Sequence, residues 1–201
     1  MTTQRLLDDD AQPTPPPQSE ALRITAQRLF DARTLLVCGE INMDTAREVV
    51  SQALALAAAS DDPITVWVHS PGGHVESSDT IHDVLTFIRP RVRMVGTGWV
   101  ASGGAHIFLA AEREDRYCLP NTRFLIHQPS GGAGGQASDI AIQAREILKA
   151  RERIAEVISR ETGQPMERVM SDIERDRWLS PDEAIEYGLV SKVIRKRSEL
   201  K

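Results

Sequence analysis

Short runs of β-branched and apolar residues alternate along this chain with longer stretches whose apolar positions recur every three or four residues. Arg33-Thr34-Leu35-Leu36-Val37-Cys38 reads as a strand closed by Gly39, and Asp44 to Ala59 as an amphipathic helix with Asp44 as its cap. Ile64-Thr65-Val66-Trp67-Val68 is a second strand, running into a turn at Pro71-Gly72-Gly73. A helix follows over Ser77 to Ile88 and Pro90 ends it, because proline has no N–H to give. Val92 to Val95 is the third strand, and an Ala-rich apolar stretch from Ala101 to Ala111 leaves it. Strands alternating with helices in this way predict parallel strands joined by right-handed crossovers, an α/β architecture. Further on, Ile140, Ala144, Ile147, Ile154 and Ile158 share one face of a helix over Ser138 to Arg160. Residues 1–20 break the pattern: they are polar, acidic at Asp8-Asp9-Asp10 and proline-rich from Pro13 to Pro17, and with so little to bury they are expected to be disordered.

The 201 residues are 41% hydrophobic, enough for one domain with a useful core rather than two. A net charge of −5 argues against a nucleic-acid partner, since phosphate binding needs a basic stripe. Only the tail from Lys192 to Lys201 is locally basic, and it reads as a frayed end. No apolar run has the length of a membrane span, and the polar start is no signal peptide, so a cytoplasmic location is expected. Cys38 and Cys118 lie in apolar runs with no Cys or His at metal-ligand spacing, and both read as buried free thiols in a reducing compartment. Gly131-Gly132-Ala133-Gly134-Gly135 lacks the spacing and the lysine of a phosphate loop.

The chemistry centres on Gly98-Trp99-Val100-Ala101-Ser102-Gly103-Gly104. Ser102 falls where a strand gives way to a helix, a corner that exposes a hydroxyl and sets the next backbone N–H to face an oxyanion. A serine hydroxyl is too weakly acidic to attack unaided and needs a base, which in turn needs a group to orient it. His127 follows the short buried run from Arg123 to Ile126 and precedes Gln128-Pro129, so it sits at a strand end. Asp176, beside Trp178 and between two predicted helices, is the best third member. Taken singly, each has a plainer reading: a helix cap for Ser102, a half-buried core imidazole for His127, a solvated ion pair with Arg175 or Arg177 for Asp176. Periodicity alone does not bring the three together.

Gly39-Glu40-Ile41, Ser70-Pro71-Gly72-Gly73, Gly98 to Gly104, Leu119-Pro120-Asn121, Ile126-His127-Gln128-Pro129, Gly135-Gln136-Ala137-Ser138-Asp139-Ile140, Thr162-Gly163-Gln164, Glu174-Arg175-Asp176-Arg177 and Tyr187-Gly188-Leu189-Val190 occur in one order. In these segments the chain resembles the proteolytic subunit of the Clp protease family over about residues 25–194. That resemblance implies a repeated ββα spiral, shared with crotonases, carrying a protruding helical handle over about 130–160 within a peptidase domain spanning 21–194, with 195–201 as a basic tail. It places the nucleophile on Ser102, the base on His127 and the orienting acid on Asp176. Gly73 and Gly103 become the oxyanion donors, and removal of one such donor typically costs about 3 kcal/mol of transition-state stabilisation. It also implies that an extended substrate adds as a strand between His74-Val75 and Ser130-Gly131. Glu174 and Arg175 would then pair across the junction of two rings. The implied assembly is a homo- or hetero-heptameric ring, stacked in pairs, fed by an AAA+ unfoldase that alone uses ATP, with no cofactor or metal in the peptidase itself. An acyl-CoA enzyme of the crotonase type is disfavoured, because Ser102, His127 and Asp176 all fit the protease pattern.

Several positions depart from that pattern. His74 stands where the family usually has a small or aliphatic residue, and is expected to narrow the cleft or shift its cleavage preference. Glu76-Ser77-Ser78 replaces a more apolar, glycine-containing stretch, and Gly103 replaces a methionine, which is expected to leave the oxyanion strand freer to move. Ala133-Gly134 is expected to loosen the handle turn in the same way. The apolar segment that gates the axial pore is replaced by the acidic, proline-rich start. These departures suggest a second, divergent copy working beside a more typical subunit, either active itself or mainly structural until a partner ring aligns its site.

Overall fold

In a computed structural model, residues 20–132 and 134–200 are described, so the expected disorder of residues 1–20 and the Ala133 part of the handle-turn expectation lie outside those residues, Glu20 apart. Helix α1 (Glu20–Asp31) buries none of its residues and leads into strand β1 (Thr34–Ile41). Helix α2 (Met43–Ala59) buries Ala46, Val49, Ala53 and Leu56, the three-and-four spacing of an amphipathic helix. Its cap is Asn42, whose side chain accepts from the Thr45 N–H at 2.9 Å; Asp44 sits inside the first turn and pairs with Arg47 instead.

Strand β2 (Ile64–Gly73) does not turn at Pro71. It continues through both glycines and pairs Gly72 and Gly73 with Glu40 and Ile41 of β1, after a bulge that absorbs the positive φ of Gly39. Helix α3 (Val75–Phe87) starts two residues earlier than the sequence suggested, with His74 at its N-cap. Strand β3 (Val92–Ala101) is also longer than predicted, and helix α4 (Gly103–Phe108) occupies only part of the apolar stretch after it. Strands β4 (Arg116–Cys118) and β5 (Arg123–Ile126) come next, followed by helix α5 (Ala137–Thr162), ended by Gly163 with a left-handed φ. Helix α6 (Met166–Asp172), strand β6 (Arg177–Leu179), helix α7 (Pro181–Tyr187) and strand β7 (Lys192–Val193) complete the order.

The strands run β1-β2-β3-β4-β7, all parallel, as the strand and helix alternation requires. β3 is the hinge of the architecture because it has two successive partners. Met94 to Gly96 pair with β4, whereas Trp99 to Ala101 pair with β5, and β5 takes β6 antiparallel on its far side. The fork splits the C-terminal end of β3 from the β4 side of the sheet and joins it to the β5-β6 branch.

One core lies between α2, α3, α4 and the sheet, and it includes Leu35, Val66, Val68, Ile81, Leu85, Met94, Ile107, Phe108 and Phe124. Arg116, only 1% exposed, reaches through it to the end of α5, donating to the Ala111 and Glu161 carbonyls and to the Glu161 carboxylate. The C-terminal half of α5 buries Ala155, Val157 and Ile158, while Ile140, Ile142 and Leu148 in its N-terminal half are exposed. The helix therefore projects from the domain with apolar residues uncovered. The basic tail is docked rather than frayed: Leu200 packs on the small cluster of Val95, Tyr117 and Ile194, and Arg195 N–H donates to Glu199. Of the two thiols only Cys118 is buried; Cys38 is exposed on β1.

Candidate active site

Three strand ends meet at one point, and each carries one of the residues singled out in the sequence. β3 and β5 pair as far as Ala101 and Leu125, and the Ser102 N–H donates to the Leu125 carbonyl, which sets Ser102 beside the end of β5. β5 and β6 pair in the antiparallel sense as far as Ile126 and Arg177, so the next residues outward, His127 and Asp176, face one another. The Gln128 N–H donates to the Ile173 carbonyl at 2.6 Å and fixes the segment after His127.

Ser102 has φ 54 and ψ −121, a conformation that L residues rarely adopt and that the turn into α4 imposes. Its side chain caps nothing; the hydroxyl lies 2.7 Å from His127 Nε2. His127 Nδ1 lies 3.1 Å from Asp176 Oδ1. The tautomer that satisfies both contacts has Nδ1–H donating to the carboxylate and Nε2 accepting from the serine hydroxyl. Asp176 is 64% exposed at its side chain, so Trp178, itself exposed, does not shield it from water. Arg177 is turned away to Asp172, which also accepts from the Tyr187 hydroxyl, and Arg175 forms no ion pair among the described residues. The arginines flanking Asp176 thus leave it to the histidine.

The two glycines at the end of β2 are there because nothing larger fits. A Cβ on Gly72 would lie 2.6 Å from Ser102 Cβ, and one on Gly73 would lie 2.1 Å from the Ile41 carbonyl oxygen. Both have positive φ, so the backbone can press against the serine turn. Gly73, Ser102, Gly103 and His127 line one cavity, together with Val75, Ser78, Asp79, His106 and an apolar wall. His74 Nδ1 is 3.0 Å from the Ser77 hydroxyl and its Nε2 is 3.3 Å from Glu76, so this ring is tied to the first turn of α3. Ser130 and Gly131 are exposed in the segment before α5. Glu174 is paired within the chain, its carboxylate accepting from Arg151 of α5 at 2.6 Å.

The looseness expected at Gly103 is not found. A Cβ there would meet the Ser78 hydroxyl at 2.2 Å, so Ser78 already fills the space that a larger residue would take. Sequence reasoning also missed the buried His82 and His106 and the partly buried Asp79, which form a polar cluster beside the cavity. The signal was present: Ser78 and His82 fall on the same helical stripe as Ile81 and Leu85, polar residues on a face that should be apolar. Among the described residues no group of His, Cys, Asp or Glu is arranged to hold a metal ion.

The Clp protease family model matches residues 17–197. This chain belongs to that family. It is 56% identical over 176 residues to the ATP-dependent Clp protease proteolytic subunit 3 of Rhizobium etli, covering 88% of this chain and 91% of that one. It is 55% identical to proteolytic subunit 2 of Gluconobacter oxydans, covering 87% and 79%. Among solved structures, ClpP1 from Listeria monocytogenes aligns with a TM-score of 0.80 at 50% identity, covering 88% of this chain and 99% of that one; a mutant of the same protein gives 0.83. The fold is that of the Clp proteolytic subunits, which are serine peptidases, and the numbered relatives fit a second-copy type.

Proposed function

We propose that this chain is an active serine endopeptidase subunit of a self-compartmentalised Clp protease, cleaving unfolded polypeptides. The observation that carries the reading is the 2.7 Å contact between the Ser102 hydroxyl and His127 Nε2. His127 removes the hydroxyl proton as Ser102 attacks the peptide carbonyl, then returns it to the leaving amine. Asp176 holds the ring in the tautomer that keeps Nε2 free. The backbone N–H groups of Gly73 and Gly103 receive the oxyanion. The substrate lies extended between His74-Val75 and Ser130-Gly131, bound through its main chain and therefore with little regard to sequence.

The exposed apolar residues of the projecting half of α5 support assembly into rings that stack in pairs, homo- or hetero-heptameric, with a second Clp proteolytic subunit as the natural partner. ATP is used only by an AAA+ unfoldase that feeds the chamber, directly or through the partner ring; the peptidase needs no cofactor, metal, nucleic acid or membrane. No helix among the described residues is long and apolar enough to cross a membrane, and we place the protein in the cytoplasm.

The exposure of Asp176 favours a second reading, in which the triad becomes productive only in the stacked assembly. Arg175 is the link: unpaired within the chain, it would bond across rings and steady its neighbour. Incubation of the purified chain with a fluorophosphonate probe, read by intact mass beside Ser102→Ala, tests the first reading. Labelling lost in the variant supports self-sufficient activity. A folded, unlabelled chain rules that out, and labelling that returns on adding a partner ring but not with Arg175→Ala establishes the second.

A further inference from the structure

The cavity beside Ser102 contains charges that the proposed proton transfer does not use. Val75, Leu109, Ile126, Pro129, Ile154 and Ile158 make it apolar, yet Asp79 of α3 and His106 of α4 also line it. His106 Nε2 donates to Asp79 Oδ1 at 2.9 Å, and Arg153 of α5 donates to Oδ2 at 2.7 Å. His106 is 6% exposed and stacks on His82 with ring centroids 4.6 Å apart; its Nδ1 is buried and unpartnered among the described residues. Burial pushes the Asp79 carboxyl up, but the His106 and Arg153 contacts outweigh it and hold the group below the ordinary aspartate value, hence ionised.

Asp79 keeps unused capacity. A carboxylate accepts about four hydrogen bonds; two are made here, and 21% of the side chain remains open. Ser78 spends its proton on the His74 carbonyl, so its oxygen too can only accept. Away from the reacting groups, Asp79 and Ser78 face this cavity with acceptors and no free donor. The Arg153 guanidinium already neutralises Asp79, so the cluster does not call for a cation.

We propose that this cavity receives the side chain on the N-terminal side of the cleaved bond, and that Asp79 makes it select uncharged side chains with an apolar body and a hydrogen-bond donor at the end. The inference rests on Ser102 being the nucleophile. Tyrosine and glutamine satisfy the open lone pairs of Asp79. Phenylalanine and methionine strand them when water is expelled, and a site built to bond a substrate group discriminates against the analogue that lacks it. Glutamate brings a like charge and no donor. Lysine meets an acid whose charge is already taken and an arginine beside it.

The test uses peptides identical except for Tyr, Phe, Gln, Met or Glu at that position, cleaved by the full-length wild-type chain, Asp79→Leu and Asp79→Asn. Fluorophosphonate labelling of Ser102 is read on all three proteins first. The wild type should prefer Tyr to Phe and Gln to Met by about tenfold, the worth of one hydrogen bond to a charged group, with Glu slowest. Asp79→Leu should erase both ratios. Asp79→Asn, which removes the charge and leaves an acceptor, should keep part of them and raise cleavage after Glu; it decides the matter if Asp79→Leu no longer labels. A labelled wild type that cleaves Phe and Met as fast as Tyr and Gln overturns the inference, as do ratios that survive Asp79→Leu. A wild type that labels at Ser102 neither alone nor with a partner ring added overturns instead the peptidase reading beneath it.

Discussion

Replacing Gly103 by alanine tests whether two departures from the family pattern are one contact. Gly103 opens α4 without a left-handed φ, so alanine there should by itself stabilise the protein by about 0.4 to 1 kcal/mol through a less flexible unfolded chain. The new Cβ would instead lie 2.2 Å from the Ser78 hydroxyl and 3.2 Å from Ser78 Cβ. Ser78 is 2% exposed and its hydroxyl is committed to the His74 carbonyl, so it cannot swing aside without losing that bond. Overpacking of this kind costs about 1 to 3 kcal/mol, which outweighs the entropic gain and reverses the sign. A net loss of about 1 to 2 kcal/mol should lower the melting temperature by roughly 2 to 8 °C for a domain of this size. Ser78→Gly alone should also destabilise, by about 1 kcal/mol, through lost helix propensity and the lost hydrogen bond. In the double variant the nearest remaining neighbour of the new Cβ is Ile41 Cδ1 at 3.4 Å, ordinary contact. The double variant should therefore be more stable than the sum of the single effects predicts, with a coupling of about 1 to 2 kcal/mol. Thermal unfolding of the four proteins measures it, and Ser102 labelling should fall in Gly103→Ala and recover in the double variant. Additivity within about 0.3 kcal/mol, or a Gly103→Ala protein as stable as wild type, would refute the reasoning.

Glu161→Ala should cost about 3 kcal/mol in denaturant unfolding, because it leaves the buried Arg116 guanidinium with carbonyl partners alone; Glu161→Gln, which retains an acceptor, should lose clearly less. Asp79 contributes stability through a carboxyl held below the ordinary value of 3.8 in the fold, so that contribution is complete above the ordinary value and is lost as pH falls through the lower, folded one. The stability gap between wild type and Asp79→Asn should accordingly be constant near neutrality and close under acid, and a gap that widens there would show the sign to be wrong. Burial pushes the Cys118 thiol up to about 12, while Cys38, also raised by its partial burial, is exposed to reagent. Maleimide should label one thiol per native chain, at Cys38, and two after unfolding; labelling of native Cys118 would contradict the packing of β4.

The layered alternation of strand and helix was legible because its cause is local. Buried parallel strands need β-branched runs, and crossover helices need an apolar stripe, and both periods are written in neighbouring residues. What local reading missed was set by partners far along the chain. Pro71-Gly72-Gly73 carries every mark of a turn, yet β1 supplies Glu40 and Ile41 to pair with it, and the segment stays extended. Asp44 suits a cap by residue type, but Asn42 holds the position because its side chain reaches the Thr45 N–H. Cys38 sits in an apolar run and still faces solvent, since alternate residues of β1 point away from the core. Ser102 and His127 were identified by their strand ends, and Asp176 by its place in a motif. No sequence period says that β3 forks, and the fork is what brings those ends together.

That fork also explains why the site tolerates its departures. The reacting side chains are positioned by three strand ends and by backbone hydrogen bonds to Leu125 and Ile173, none of which depends on the identity of residues 76–79 or 106. The side chains at those positions contribute walls and not alignment. Ser78 could therefore take up the space released at Gly103, and Asp79 and His106 could place polar groups in an apolar cavity, without moving the Ser102 hydroxyl from His127. A strand-built frame with helix-built walls separates the chemistry from its selectivity. Substitutions in α3 should then alter which bonds are cut while leaving Ser102 labelling intact, whereas a proline at Leu125 or Arg177, breaking the ladder, should abolish labelling itself.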